Sequence, residues 1–144
     1  MNTPHELSFL VTGARGILGT EITESLSLYG QVAGFPADIR DADAVDEFLK
    51  GRSFTHLIHA AAIVSTTAVE VDPVAAYETN VMGTGIVMSA FLRHNPKAHA
   101  TYISSSHVYS PSGSNITELS HTRPQGAYGR SKLSGEYLSQ DVVN

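Results

Sequence analysis

Residues 7–19 read LSFLVTGARGILG, an apolar run that passes directly into a turn with glycines at 13, 16 and 19. The run, residues 7–11, has the length of a buried strand, and Ile17, Ile22, Leu26 and Leu28 then recur at helical spacing up to Gly30. The chain is therefore expected to begin with a strand, a tight turn and a helix.

The same alternation continues along the sequence. Residues 31–35 (QVAGF) read as a short second strand. Asp41 then supplies a helix cap, and Val45, Phe48 and Leu49 mark one face of a short helix with an acidic first turn. Residues 56–62 (HLIHAAA) read as a third strand buried on both faces. Asp72-Pro73 predicts a helix start, a cap followed by the one residue that loses nothing at the first helical position, and that helix is expected to reach about Leu92. Residues 100–104 (ATYIS) give a fourth strand, residues 110–126 a polar loop rich in Pro, Gly and Ser, and a last helix is expected from about Ala127. Short apolar runs alternating with helical segments predict an α/β fold in which crossover helices cover parallel strands. A loop that long inside a compact domain points to function.

Composition narrows the partners. A chain of 144 residues, 42% hydrophobic, supports one core and hence one domain over residues 1–144. A net charge of -5 without Lys/Arg clusters argues against a nucleic-acid or anionic-membrane surface and leaves small molecules. The chain has no cysteine, so disulfides and thiolate metal sites are excluded, and a reducing compartment, the cytoplasm, is expected. No window approaches the apolar length of a membrane span or a signal peptide. His56 and His59, three apart on a strand, face opposite sides, while His107 and His121 read as surface or satisfied residues, so no metal is expected.

A helix N-terminus presents unpaired N–H groups and the positive end of its dipole, and a pyrophosphate reaches both where no side chain stands in the way. On that reading Gly13 allows the turn, Gly16 the approach of the phosphates and Gly19 the packing of helix on strand. The spacing is one residue longer than G-x-G-x-x-G, and glycines at a turn are also compatible with plain punctuation. The flanking strand and helix support the ligand reading.

Two further groups carry chemistry. Tyr128 and Lys132, in YGRSK, lie four apart and so share one helical face. A nearby cation favours the ionised form of a phenol, which lets Tyr128 trade a proton with an alcohol or carbonyl near neutral pH. Ser104, Ser105 and Ser106 end the fourth strand, where open α/β sheets place their sites, and a hydroxyl there can polarise a carbonyl oxygen. The alternative for the serines is a turn that simply closes the strand.

In this order, TGARGILG, ADIRD, HAAA, NVMGT, ISSSHVY and YGRSK resemble the extended short-chain dehydrogenases/reductases, the NAD(P)-dependent epimerases, dehydratases and reductases. The resemblance runs from residue 7 to about residue 139 and leans toward the sugar-nucleotide reductases, the dTDP-4-dehydrorhamnose reductase group above all, because the second strand runs almost directly into ADIRDADAV and the last motif reads YGRSKLSGE. It implies a Rossmann-like, doubly wound parallel sheet. It further implies Tyr128 as proton donor to a keto sugar, Lys132 as its electrostatic partner and nicotinamide-ribose ligand, and Ser105 as the hydroxyl that orients the carbonyl. Ser105 is chosen over Ser106 by laying ISSSHVY on the family's ISTDYVF pattern. The glycine loop (Gly13, Arg15, Gly16, Ile17, Leu18, Gly19) would hold the pyrophosphate, Asp38 and Ile39 would flank the adenine, and Ala60, Ala61 and Ala62 would line the cleft. Asn80 would stand beside the nicotinamide half.

An acid closing the second strand would select NAD through the ribose 2′-OH, yet that strand ends in Phe35 and Pro36. Arg15 can meet a 2′-phosphate bidentately, so NADP is expected, with NAD as the alternative. The alternative for Arg15 is a solvated loop residue.

A complete member would continue past the tyrosine helix with further strands and a part that closes over the sugar nucleotide. The sheet is therefore expected to stop at about four to five strands, with the fourth an exposed edge open to a completing chain or to homo-oligomerisation. The favoured function is an NAD(P)H-dependent reductase of a 4-keto-6-deoxy sugar nucleotide, the chain being a fragment of it. The alternatives are a catalytically silent dinucleotide-binding or interaction module and a nucleotide-sugar epimerase or dehydratase fragment.

Overall fold

The computed structural model describes residues 6–110 and 115–143. Four parallel strands, β1 (Leu7–Thr12), β2 (Gly30–Gly34), β3 (His56–His59) and β4 (His99–Tyr102), lie in the order β2-β1-β3-β4. The expected α/β fold is observed. Phe9 lies opposite Val32 on one side and His56 on the other, and His59 opposite Tyr102.

The helix α1 (Ile17–Leu26) links β1 to β2, and α2 (Ala42–Leu49) links β2 to β3. Because the strand order reverses at β1, these two crossovers cover opposite faces of the sheet, and a crevice opens beyond the C-terminal ends of β1 and β3. After β3 come α3 (Thr66–Val71), α4 (Pro73–Tyr77), a π-helical stretch (Glu78–Gly83) and α5 (Thr84–His94), and after β4 a 3-10 turn (Ser106–Val108) and α6 (Gly126–Val143).

Local chemistry sets most of these boundaries. Asp41 accepts the Ala44 N–H at 3.0 Å and Asp72 the Ala75 N–H at 3.1 Å, caps that each stabilise a helix by about 1 kcal/mol. Helix α3 starts on a Ser65 cap that accepts the Ala68 N–H, and it was not anticipated. The expected helix from Pro73 forms, but residues 78–83 bulge to π pitch, and β3 ends at His59 rather than running on through Ala62.

One core joins Leu10 and Leu57 of the sheet to Val45 and Leu49 of α2 and to Val87, Met88 and Phe91 of α5. Each such side chain, when fully buried, contributes about 1.5–3 kcal/mol. A smaller cluster of Val69, Ala76, Ala127 and Tyr128 ties α3 and α4 to the start of α6. Among the described residues no strand follows β4, which forms the sheet edge, and a groove of about 400 Å³ runs between Ala100 and Tyr102 on that strand and Glu136 and Ser139 on α6. No described helix is long and apolar enough to cross a membrane.

Candidate functional site

At the first turn Gly13 adopts φ +69°, and a Cβ there would lie 2.7 Å from the Ala61 nitrogen and 2.9 Å from the Ala60 carbonyl carbon. This position therefore tolerates no side chain on two counts, conformation and contact. A Cβ on Gly19 would overlap the Gly13 carbonyl, which is what lets α1 sit down on the turn. Gly16 differs: it is exposed at φ -77°, and an added Cβ would meet only the Gly13 oxygen at 3.3 Å. The packing at Gly16 is thus looser than at Gly13 and Gly19, with a single carbonyl oxygen closer than ordinary contact and the outer side open. No side chain caps α1 and its first turn holds no acid, so its N-terminal dipole is left open toward the crevice. A diphosphate fits this cradle. Ile17, Leu18 and Arg15 are all exposed around it, Ile17 at 93%.

Ala60, Ala61 and Ala62 leave the end of β3 and are half-buried along the same crevice. Beyond β2, Ile39 is buried, while the Asp38 carboxylate binds Arg40 through both Nε (3.1 Å) and Nη2 (2.6 Å), which holds its pKa below the ordinary range. The first acid after β2 is thus already paired with a cation.

Across the crevice, α6 presents Tyr128 and Lys132, both buried. Glu70 of α3 accepts the Ala127 N–H at 2.6 Å, placing a carboxylate at the N-terminus of the helix that carries both residues. The Lys132 ammonium donates to the Ile103 carbonyl just past β4 at 2.7 Å and stands 4.3 Å over the Tyr102 ring. Burial lowers its pKa to about 8, and the carboxylate of Glu136, one helical turn on, opposes that shift. No carboxylate lies within salt-bridge distance of this ammonium among the described residues, an arrangement more costly than useful for stability. Groups of this kind are enriched at functional sites.

The three serines separate by their partners. Ser104 donates a short hydrogen bond to Glu136, Ser105 is half-buried with Oγ 3.2 Å from both the backbone nitrogen and Nδ1 of His107, and Ser106 is exposed in the 3-10 turn. The His107 ring meets the Tyr128 ring edge-on, centroids 5.3 Å apart. His107, exposed as its reading as a surface or satisfied residue expects, thus also touches both groups.

Beneath the crevice runs a polar chain that sequence reasoning missed. Thr84 Oγ1 donates to the Asn80 carbonyl at 2.8 Å, so it accepts from His59 Nε2 at 3.0 Å, and His59 Nδ1 accepts from Thr12 Oγ1 at 2.7 Å. Burial drives the His59 pKa down to about 3, with the Lys132 charge adding to the effect, so the ring stays neutral. The Asn80 amide donates to the Ile63 carbonyl and to Ser131 Oγ, each at 3.0 Å, and accepts the Ile63 N–H at 2.8 Å. Asn80 is fully buried, so its side chain pins the loop after β3 to α6 beneath the crevice. The π bulge at residues 78–83 carries this asparagine, and π bulges are frequent at functional positions.

The family described as the RmlD substrate binding domain matches residues 7–143. The chain belongs to that family. A relative, the dTDP-4-dehydrorhamnose reductase of Burkholderia thailandensis, is 31% identical over 134 residues, covering 90% of this chain and 44% of the relative. The crystal structure of dTDP-4-dehydrorhamnose reductase from Bacillus anthracis in complex with NADP superposes with a TM-score of 0.90 at 25% identity, covering 99% of this chain and 52% of that one. The UDP-glucose 4-epimerase of Thermus thermophilus in complex with NAD superposes with a TM-score of 0.82 at 26% identity, covering 93% of this chain and 50% of that one. The chain thus has the Rossmann-type fold of reductases and epimerases and spans about half the length of the solved chains it resembles.

Proposed function

We propose that this chain is the cofactor-binding, proton-donating part of an NADP(H)-dependent reductase of a 4-keto-6-deoxy sugar nucleotide, of the extended short-chain dehydrogenase/reductase type. The observation that carries the reading is Lys132, a cation buried beyond the end of β4 on the helical face of Tyr128 and one loop away from Ser105. The open cradle at Gly13, Gly16 and Gly19 would hold the diphosphate, Ile39 and Asp38 would border the adenine, and Ala60, Ala61 and Ala62 would line the way to the nicotinamide. Asn80 acts there by holding Ile63 and Ser131 in place.

A nicotinamide held there would supply a hydride for the carbonyl carbon. Ser105 donates a hydrogen bond to the carbonyl oxygen and so favours the charge that grows on it. Tyr128 gives that oxygen its proton. Lys132, on the same helical face, is read as the electrostatic partner of that phenol and as the ligand of the nicotinamide ribose. Arg15 is exposed at the turn, and the first acid after β2 is occupied by Arg40, which supports a 2′-phosphate over a free ribose hydroxyl. The reading includes a cytoplasmic location, consistent with a chain free of cysteine, and a further chain or second copy against the β4 edge.

Calorimetry of the chain with NADPH and NADH, followed by NADPH oxidation with a keto sugar nucleotide, tests the reading. NADPH is expected to bind more tightly, and Tyr128→Phe to bind it unchanged while losing about a hundredfold or more in turnover. No heat with either coenzyme overturns the reading, and binding without oxidation replaces it with that of a silent dinucleotide module.

A further inference from the structure

We propose that His107 is a positioning residue for Ser105: the protonation state of its imidazole decides whether the Ser105 hydroxyl hydrogen is free for a substrate oxygen. The inference rests on the reading of Ser105 as the carbonyl-polarising group.

The 3-10 turn Ser106–Val108 folds His107 back onto Ser105, whose Oγ accepts the His107 backbone N–H at 3.2 Å and lies 3.2 Å from Nδ1. That second contact has two directions. With a neutral ring protonated on Nε2, Nδ1 is an acceptor and the serine spends its only hydrogen on it. With the ring protonated on both nitrogens, Nδ1 becomes the donor, Oγ accepts, and the hydroxyl hydrogen is released for another acceptor. One proton taken up from solvent therefore turns Ser105 from a donor to His107 into a donor to the substrate. His107 is exposed, so that proton is available, and imidazole is the side chain whose charge changes nearest neutrality.

The surroundings suit such a switch. Tyr128 of α6 faces the ring at 5.3 Å between centroids and 71° between planes. Tyr109, Ser106 and Gln125 line with it a cavity of about 290 Å³. Among the described residues, the titratable groups in the imidazole's surroundings are Tyr128, in ring contact with it, and Tyr109, which lines the same cavity, and none forms a salt bridge with it. The same ring touches the hydroxyl that polarises the carbonyl and the phenol that protonates it.

Two measurements test this. In an NMR titration of the unmodified chain, the imidazole ¹⁵N shifts are expected to show a neutral ring with its proton on Nε2. The Ser105 Cβ and Tyr128 Cζ signals are expected to follow the His107 transition. In turnover with NADPH and a keto sugar nucleotide, kcat/KM is expected to rise about threefold to tenfold as pH falls through that transition, the worth of one exchanged hydrogen bond. His107→Phe, which keeps an aromatic ring beside Tyr128 but has no ring nitrogen, is expected to lack that rise. A neutral ring protonated on Nδ1, a Ser105 signal indifferent to the transition, or a His107→Phe enzyme that keeps the rise overturns the inference. A chain that binds no NADPH sinks the proposed function instead, and the titration still decides the role of His107.

Discussion

Replacing Lys132 by methionine removes a charge that the fold holds out of water. The residue is 3% exposed, its proton-bearing form is hydrogen-bonded to the Ile103 carbonyl, and burial brings its pKa from 10.5 down to about 8. The folded value lies below the unfolded one. Below about pH 8 both states carry the proton and the folded state bears the full cost of the charge. Between about pH 8 and 10.5 the unfolded chain binds more protons, so stability rises with pH. At about 1.4 kcal/mol for each tenfold change in proton affinity, the gap amounts to about 3 kcal/mol, most of which falls between pH 7 and 10. Urea unfolding of the wild type and Lys132→Met at both pH values isolates this contribution, because titrating groups that do not interact with Lys132 cancel in the difference. The stability of the wild type relative to the variant should rise by about 2–3 kcal/mol from pH 7 to pH 10. A difference that stays flat within about 0.5 kcal/mol would show that water reaches the ammonium and would refute the desolvation argument.

Gly16→Ala should fold with a melting temperature close to that of the wild type, since a Cβ there meets only one carbonyl oxygen at 3.3 Å, yet calorimetry should show NADPH affinity reduced about tenfold. Equal affinity would mean that no diphosphate approaches that turn. His59 stays neutral down to about pH 3 when folded but takes a proton near pH 6.5 when unfolded, so the unfolded chain binds the extra proton between these values. Stability should therefore fall by about 2 kcal/mol from pH 7 to pH 5, and His59→Gln, followed by chemical unfolding at both pH values, should lose that dependence.

The parts of the fold that were legible depend on neighbours in the chain. The Asp41 and Asp72 caps reach backbone N–H groups three residues on, and Tyr128 and Lys132 share a face because of helical pitch alone. Helix α3 was missed because Thr66, Thr67, Val69 and Val71 are β-branched and weigh against a helix. The only local signal was Ser65, a capping residue at the head of the segment. The π bulge had no local signal: it brings Asn80 to partners 17 and 51 residues away.

The amino-acid sequence determined the alternation of strands and helices, the glycine turn and the kinds of side chain offered at the crevice, because propensity, capping and periodicity act within a few residues. Tertiary structure decided what those side chains are free to do. Glu136, 32 residues from Ser104, takes that serine and leaves Ser105, and burial alone makes Lys132 a weakly held proton carrier. Packing also gives His59 two fixed partners and sets His107 against Ser105 and Tyr128. Desolvation and hydrogen-bond direction depend on which distant groups close over a side chain, and only the folded chain brings those groups together.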